Sequence, residues 1–137
     1  MHGHLETFGQ VGPIQSWLAR RSRTSLGRWG EWVALKWLLY QGWDVVARNW
    51  NSRRGELDLI AWDQEQLVFV EVKTRLAGGL SRPENAVDDE KRDQLEALAI
   101  SFLSRFEAGE VPIRFDLIAI ETVDRRRFKL RHYLGFM

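Results

Sequence analysis

Between residues 28 and 41 the apolar side chains return every three or four positions, and Gly42 stands where a glycine closes a helix. The spacing therefore predicts a first helix over 28–41. The pattern then changes period. Residues 44–50, 56–62 and 67–75 alternate or run apolar, are rich in β-branched and aromatic types, and are separated by the turn-like connectors NSRRG and DQEQ. Three consecutive antiparallel strands follow from that reading. Gly78, Gly79, Ser81 and Pro83 mark a loop, after which Asp88 or Asp89 is placed to cap a second helix with the apolar stripe Leu95, Leu98, Ala99, Phe102 and Phe106. Two more strands are predicted over 113–123 and 128–134, joined by the basic turn 124–127. The order helix, three strands, helix, two strands describes an α/β domain with a mixed five-stranded sheet flanked by helices. Residues 1–25 show no clear periodicity, apart from one short helix around 14–20, and are read as a flexible N-terminal tail ahead of a domain spanning 26–137.

Strand alternation sharpens the picture. Glu56, Asp58, Ile60 and Trp62 share one face of the second strand, and Leu67, Phe69, Glu71 and Lys73 share one face of the third. A symmetric DQEQ turn places Trp62 opposite Leu67, Ile60 opposite Phe69, Asp58 opposite Glu71 and Glu56 opposite Lys73. Directly opposed Cβ atoms lie ~5 Å apart, close enough for two carboxylates to hold one cation. The other faces, Leu57, Leu59 and Ala61 with Val68, Val70 and Val72, are apolar, so these are interior strands where charge is costly. An exposed salt-bridge ladder also fits an E-x-K pattern. Glu31 weighs against the ladder, because it falls in line with Ala34, Leu35 and Leu38 on the buried stripe of the first helix. Lys91, in phase with Leu95 and Leu98, reaches the same region or stands as an ordinary first-turn lysine.

Composition narrows the chemistry. The chain has 137 residues, seven tryptophans and no cysteine, so a thiolate zinc site and a disulfide framework are both excluded. His2, His4 and His132 show no ligand spacing, which leaves carboxylates, and these favour the hard cations Mg2+, Mn2+ or Ca2+ over zinc or copper. The longest apolar run, 32–40, is too short to cross a bilayer, and the N-terminus lacks a secretory pattern. Both point to the cytoplasm. A net charge of +1 hides clusters at Arg20, Arg21, Arg23 and Arg28, at Arg53 and Arg54, and at Arg125, Arg126, Arg127, Lys129 and Arg131. Such clusters are candidate phosphate contacts or solvated charge. Gly27 and Gly30 are read as packing glycines, and the tryptophans as core. Trp50, beside Arg53 and Arg54, is kept as a candidate nucleic-acid contact. Asp116 is read as a partner for Arg114.

The segments GRWGEWVALKWLLYQGW, RNWNSRRGELDLIAWD, LVFVEVKTR, ENAVDDEKRDQLEALAISFL and IRFDLIAI together resemble the YraN-like proteins, uncharacterised bacterial proteins related to archaeal Holliday junction resolvases. The likeness runs from about residue 26 to the end. It implies a restriction-endonuclease-like core of the PD-(D/E)XK type, with Asp58, Glu71 and Lys73 matching the D…E-x-K signature and Glu31 matching the helical glutamate of the resolvases. The implied activity is metal-dependent cleavage of DNA, selective for structure such as branching rather than for sequence. Asp58, Glu71, the Val72 carbonyl and Glu31 are the implied metal ligands, and Lys73 stabilises the reacting phosphate. Arg53, Arg54, Arg75 and Lys91 are assigned to DNA, and symmetric cutting of two strands would call for a homodimer. Two other readings stay open: a nucleic-acid-binding domain that keeps the fold without cutting, and a protein-binding adaptor.

Overall fold

The computed structural model describes residues 3–10, 23–79, 82–105, 110–123 and 127–137. Helix α1 (Arg23–Tyr40) opens five residues ahead of the predicted start at 28, taking in residues 23–25 of the expected tail, and buries Leu26, Trp29, Val33, Ala34 and Leu38. It closes in a Schellman motif, in which Trp43 N–H bonds the Leu38 carbonyl at 3.1 Å and Gly42 N–H bonds the Leu39 carbonyl at 3.0 Å. Gly42 adopts φ +84°, a conformation that costs glycine nothing and other residues a steric clash.

Strands β2 (Asp44–Ser52), β3 (Gly55–Asp63) and β4 (Gln66–Leu76) form the predicted antiparallel meander. A 3-10 turn at Pro83–Ala86 and helix α2 (Asp89–Arg105) then cross over to β5 (Ile113–Val123), which runs parallel to β4. Strand β6 (Arg127–Leu134) returns antiparallel to β5. Asp88 caps α2 by accepting the Lys91 N–H on Oδ1 at 2.9 Å, and the buried stripe is Leu95, Leu98, Ala99 and Phe102. Phe106 lies outside the described residues, as do the 14–20 helix and the 124–126 part of the basic turn.

The predicted strands β2–β6 build the mixed five-stranded sheet, and a further strand, β1 (Gly3–Gln10), adds to the free edge of β6. The full order is β1-β6-β5-β4-β3-β2. Part of the segment read as a tail is thus a strand. Its signal was missed because an edge strand needs backbone pairing more than a buried, alternating face.

One core lies between α1 and the face carrying Leu59, Ala61, Val68, Val70, Val72, Ile118, Ile120 and Leu130. The other lies between α2 and Leu57, Ile60, Leu67 and Phe69. Leu57 was expected beside Leu59 and Ala61, but it packs on the α2 side. The alternation therefore slips at Asp58, and Asn49 on the neighbouring strand has φ 49°. No helix among the described residues is long and apolar enough to cross a membrane.

A buried polar network ties the layers together. Arg114 donates to both oxygens of the fully buried Asp116, at 2.8 and 3.0 Å, as its sequence position suggested. His132 Nε2 meets Asp116 Oδ2 at 2.8 Å, and Trp37 Nε1 donates to His132 Nδ1 at 3.0 Å. An indole N–H only donates, so the imidazole proton resides on Nε2 and points at the carboxylate. Burial alone would raise the Asp116 carboxyl. The bonds from His132 and Arg114 outweigh it and hold the group below the usual range.

Candidate functional site

The β3–β4 pairing follows the predicted register from Asp63↔Gln66 to Leu59↔Val70 and ends there. Beyond it the expected pairs Asp58 with Glu71 and Glu56 with Lys73 do not form. Instead Asp58 Oδ2 accepts the Val72 N–H at 2.8 Å. A side-chain carboxylate thus takes the place of a ladder carbonyl, and the strands part around it. What the structure shows of Val72 at this site is this N–H.

Three carboxylates gather at the opening. One oxygen each from Glu31, Glu56 and Asp58 lie within 4.8 Å of one another. Glu31 arrives from α1 because the helix sits hard against β4: a Cβ on Gly30 would stand 1.8 Å from Thr74 Oγ1. Glu31 is half-buried and hydrogen-bonds the Asp58 side chain. Asn49, with its amide nitrogen turned toward the acids, donates to Glu31 Oε2 at 2.9 Å and to Glu56 Oε1 at 2.8 Å. One amide on β2 therefore holds the helix acid and the strand acid together.

Glu71 stands outside this close trio but acts on it, its charge raising both Asp58 and Glu31. It is 3% exposed, and its Oε1 meets Lys73 Nζ at 3.2 Å and Lys91 Nζ at 3.4 Å. Its Oε2 is buried with no hydrogen-bond partner. Burial, then the Glu71 charge, push Asp58 up to about 8. Burial and Glu56 raise Glu31 in the same direction. Four carboxylates at one opening, one with an orphaned oxygen, outnumber the two ammonium groups of Lys73 and Lys91, and hard oxygen donors of this kind suit a divalent cation.

The remaining predicted residues are distributed unevenly. Lys91 joins the site through Glu71 rather than standing as a free first-turn lysine. Arg53 and Arg54 are exposed in the β2–β3 turn, where Gln94 Nε2 from α2 holds the Arg54 carbonyl at 2.8 Å. Arg75 is half-buried on β4 and donates to the Thr74 carbonyl at 2.9 Å. Arg131, expected with the C-terminal cluster as a phosphate contact or solvated charge, is neither. It is buried, pairs with Glu84 at 2.5 and 3.0 Å, and reaches Glu121 at 2.6 Å. Burial opposes the ionised form of Glu84, but Arg131 and the Tyr133 hydroxyl outweigh it and lower Glu84 to about 2. Trp50 is partly buried: it packs edge-on against Phe102 at 5.4 Å beside the α2 core, with the Arg105 guanidinium 5.6 Å from its ring centroid.

The family model for the uncharacterised protein family UPF0102 matches residues 30–120. The chain belongs to that family. A UPF0102 protein of Beutenbergia cavernae is 39% identical over 115 residues, covering 84% of this chain and 98% of the relative. Another, from Porphyromonas gingivalis, is 47% identical over 94 residues, 69% of each chain. A third, from Chlorobium phaeobacteroides, is 40% identical over 112 residues, covering 78% and 89%.

The UPF0102 match contains Glu31, Asn49, Glu56, Asp58, Glu71, Lys73 and Lys91. Glu56 and Asn49 were missed as site residues. Strand alternation puts Glu56 on the face of Asp58 but opposite Lys73, which holds only for an unbroken ladder. Asn49 carried no sequence signal beyond its left-handed tolerance, since the bridge it makes joins residues from three separate elements.

Proposed function

We propose that this chain is a metal-dependent nuclease that cleaves phosphodiesters in DNA and selects for DNA structure. The observation that carries the reading is the convergence of Glu31, Glu56 and Asp58 beside buried Glu71, whose Oε2 has no partner. Mg2+ or Mn2+ would be held by Asp58 and Glu71 with Glu31 and Glu56, and when bound supplies Lewis acidity and a water of lowered pKa.

The chain's own groups have distinct tasks. Asn49 keeps Glu31 and Glu56 side by side against their mutual repulsion. The Val72 N–H orients Asp58. Lys73 and Lys91, both held at Glu71 Oε1, place two ammonium groups where negative charge on a phosphate needs stabilising. Arg53 and Arg54, three and two positions before Glu56, supply sequence-independent attraction to the backbone. The selectivity for structure rests on a sequence that carries no pattern for base readout.

The test is incubation of the protein with linear, nicked, flapped and four-way DNA in Mg2+, Mn2+ or EDTA. Cleavage is expected only with metal and is expected to vanish in Asp58→Asn and Glu71→Gln. Binding without cleavage in any metal would establish a non-catalytic nucleic-acid-binding domain, and neither activity would favour an adaptor.

A further inference from the structure

Helix α1 has a solvent face beside the acid cluster, and the Arg28 charge on it acts on Glu31. Trp32 is 42% exposed, whereas Trp29, one turn earlier, is buried. Arg28 and Lys36 flank Trp32 at i−4 and i+4, about 6 Å of helix rise on either side, and both are exposed. Lys36 Nζ lies 5.6 Å from the Trp32 ring centroid. The only carboxylate in α1 is Glu31, and it is drawn into the acid cluster. The face is therefore cationic and aromatic, and begins one residue from the proposed metal ligands.

It continues into a groove of about 400 Å³ between α1 and β2, lined by Leu35, Leu39, Val45, Val46, Ala47 and Arg48. Arg48 is exposed and immediately precedes Asn49, which bridges the acids. Asp44 lies at the far end of β2 from Asn49.

We propose that this face, Arg28, Trp32, Lys36 and Arg48, binds a single-stranded nucleic-acid segment leading to the acid cluster. The proposal rests on the nuclease reading and adds the substrate's form. An exposed indole stacks on an unpaired base, while a paired base hides its faces in the duplex. Arg28 and Lys36 on the same helix face and Arg48 at the groove match the phosphates of such a strand, and the aliphatic groove floor accepts sugar carbons and base faces away from water. The substrate class is DNA with an unpaired strand beside the cut, such as a flap or a frayed junction.

The experiment measures fluorescence anisotropy of labelled oligothymidine and of a duplex of equal length, in EDTA, so that no cleavage is involved. Trp32→Ala is expected to weaken oligothymidine binding about tenfold while changing duplex binding less than about twofold, and Trp32→Phe to restore most of the loss. Lys36→Ala is expected to reduce the salt slope for oligothymidine by about 0.7. Unchanged oligothymidine affinity in both alanine variants overturns the proposal. So does loss of binding to anionic lipid vesicles in Trp32→Ala with oligothymidine binding intact. Trp32-dependent binding by a protein that cuts nothing would sustain the proposal and sink the cleavage reading. Metal-dependent cutting with Trp32-independent binding would do the reverse.

Discussion

Asp58 is where the chemistry of single residues is most exposed. Its carboxyl is ordinarily at 3.8 and is raised to about 8 by burial and by Glu71. The folded, metal-free protein therefore keeps a proton between those values that the unfolded chain gives up, so its stability falls as pH rises through that window. Asp58→Asn removes the charge and is expected to raise the metal-free melting temperature at pH 9 by several degrees, with little gain at pH 4. A melting curve in EDTA at the two pH values checks this, and equal effects at both would refute it. Mn2+ affinity of the unaltered protein should likewise tighten as pH rises through 8, because the metal must displace that proton. Calorimetry in buffers of different ionisation enthalpy would show the released proton directly.

At the scale of elements, the site depends on how closely α1 approaches β4. Gly30 is helical, and alanine is the better helix former by about 1 kcal/mol. Yet the added Cβ would meet Thr74 Oγ1 at 1.8 Å and Thr74 Cβ at 2.9 Å, and Thr74 is buried. Gly30→Ala is accordingly expected to cost about 1–3 kcal/mol by forcing the helix off the sheet. Urea unfolding would measure it, and an unchanged or higher midpoint would show that the contact relaxes freely. The same displacement carries Glu31 away from Asp58, so metal affinity should fall in this variant although no ligand is altered. The helix, its glycine and its buried stripe were legible in the sequence from spacing alone. The contact that makes the glycine necessary was not, because Thr74 lies 44 positions away on a strand whose approach depends on the whole sheet.

The whole molecule is held by polar ties as well as by its two apolar cores. His132 joins α1 through Trp37 to β5 through Asp116, and Gly135 N–H also bonds Asp116 Oδ1 at 2.9 Å. His132→Ala leaves a cavity, an unpaired indole N–H and a buried carboxylate short of one donor. The expected cost is roughly 2–5 kcal/mol. Arg53→Ala, on an exposed turn, should stay within about 0.5 kcal/mol. Denaturant midpoints for the pair would check the contrast, and similar values would deny the network its structural part.

Local pattern decided the types of α1, α2 and β2–β6, the β3–β4 register near its turn, the Asp88 cap and the presence of Glu31 on a buried stripe. Each depends on neighbours within a few positions, through helical period, strand alternation or turn closure. The sheet's final shape decided the rest. Asp58 interrupts the ladder by taking the Val72 N–H, which turns Leu57 to the other core and brings Glu56 beside Glu31. Arg131 looks like a surface contact in sequence because an isolated cation looks solvated there. In the fold, Glu84 and Glu121 neutralise it. Partners supplied from distant segments determine whether a charge or a ring is buried, and only the tertiary structure brings those segments together.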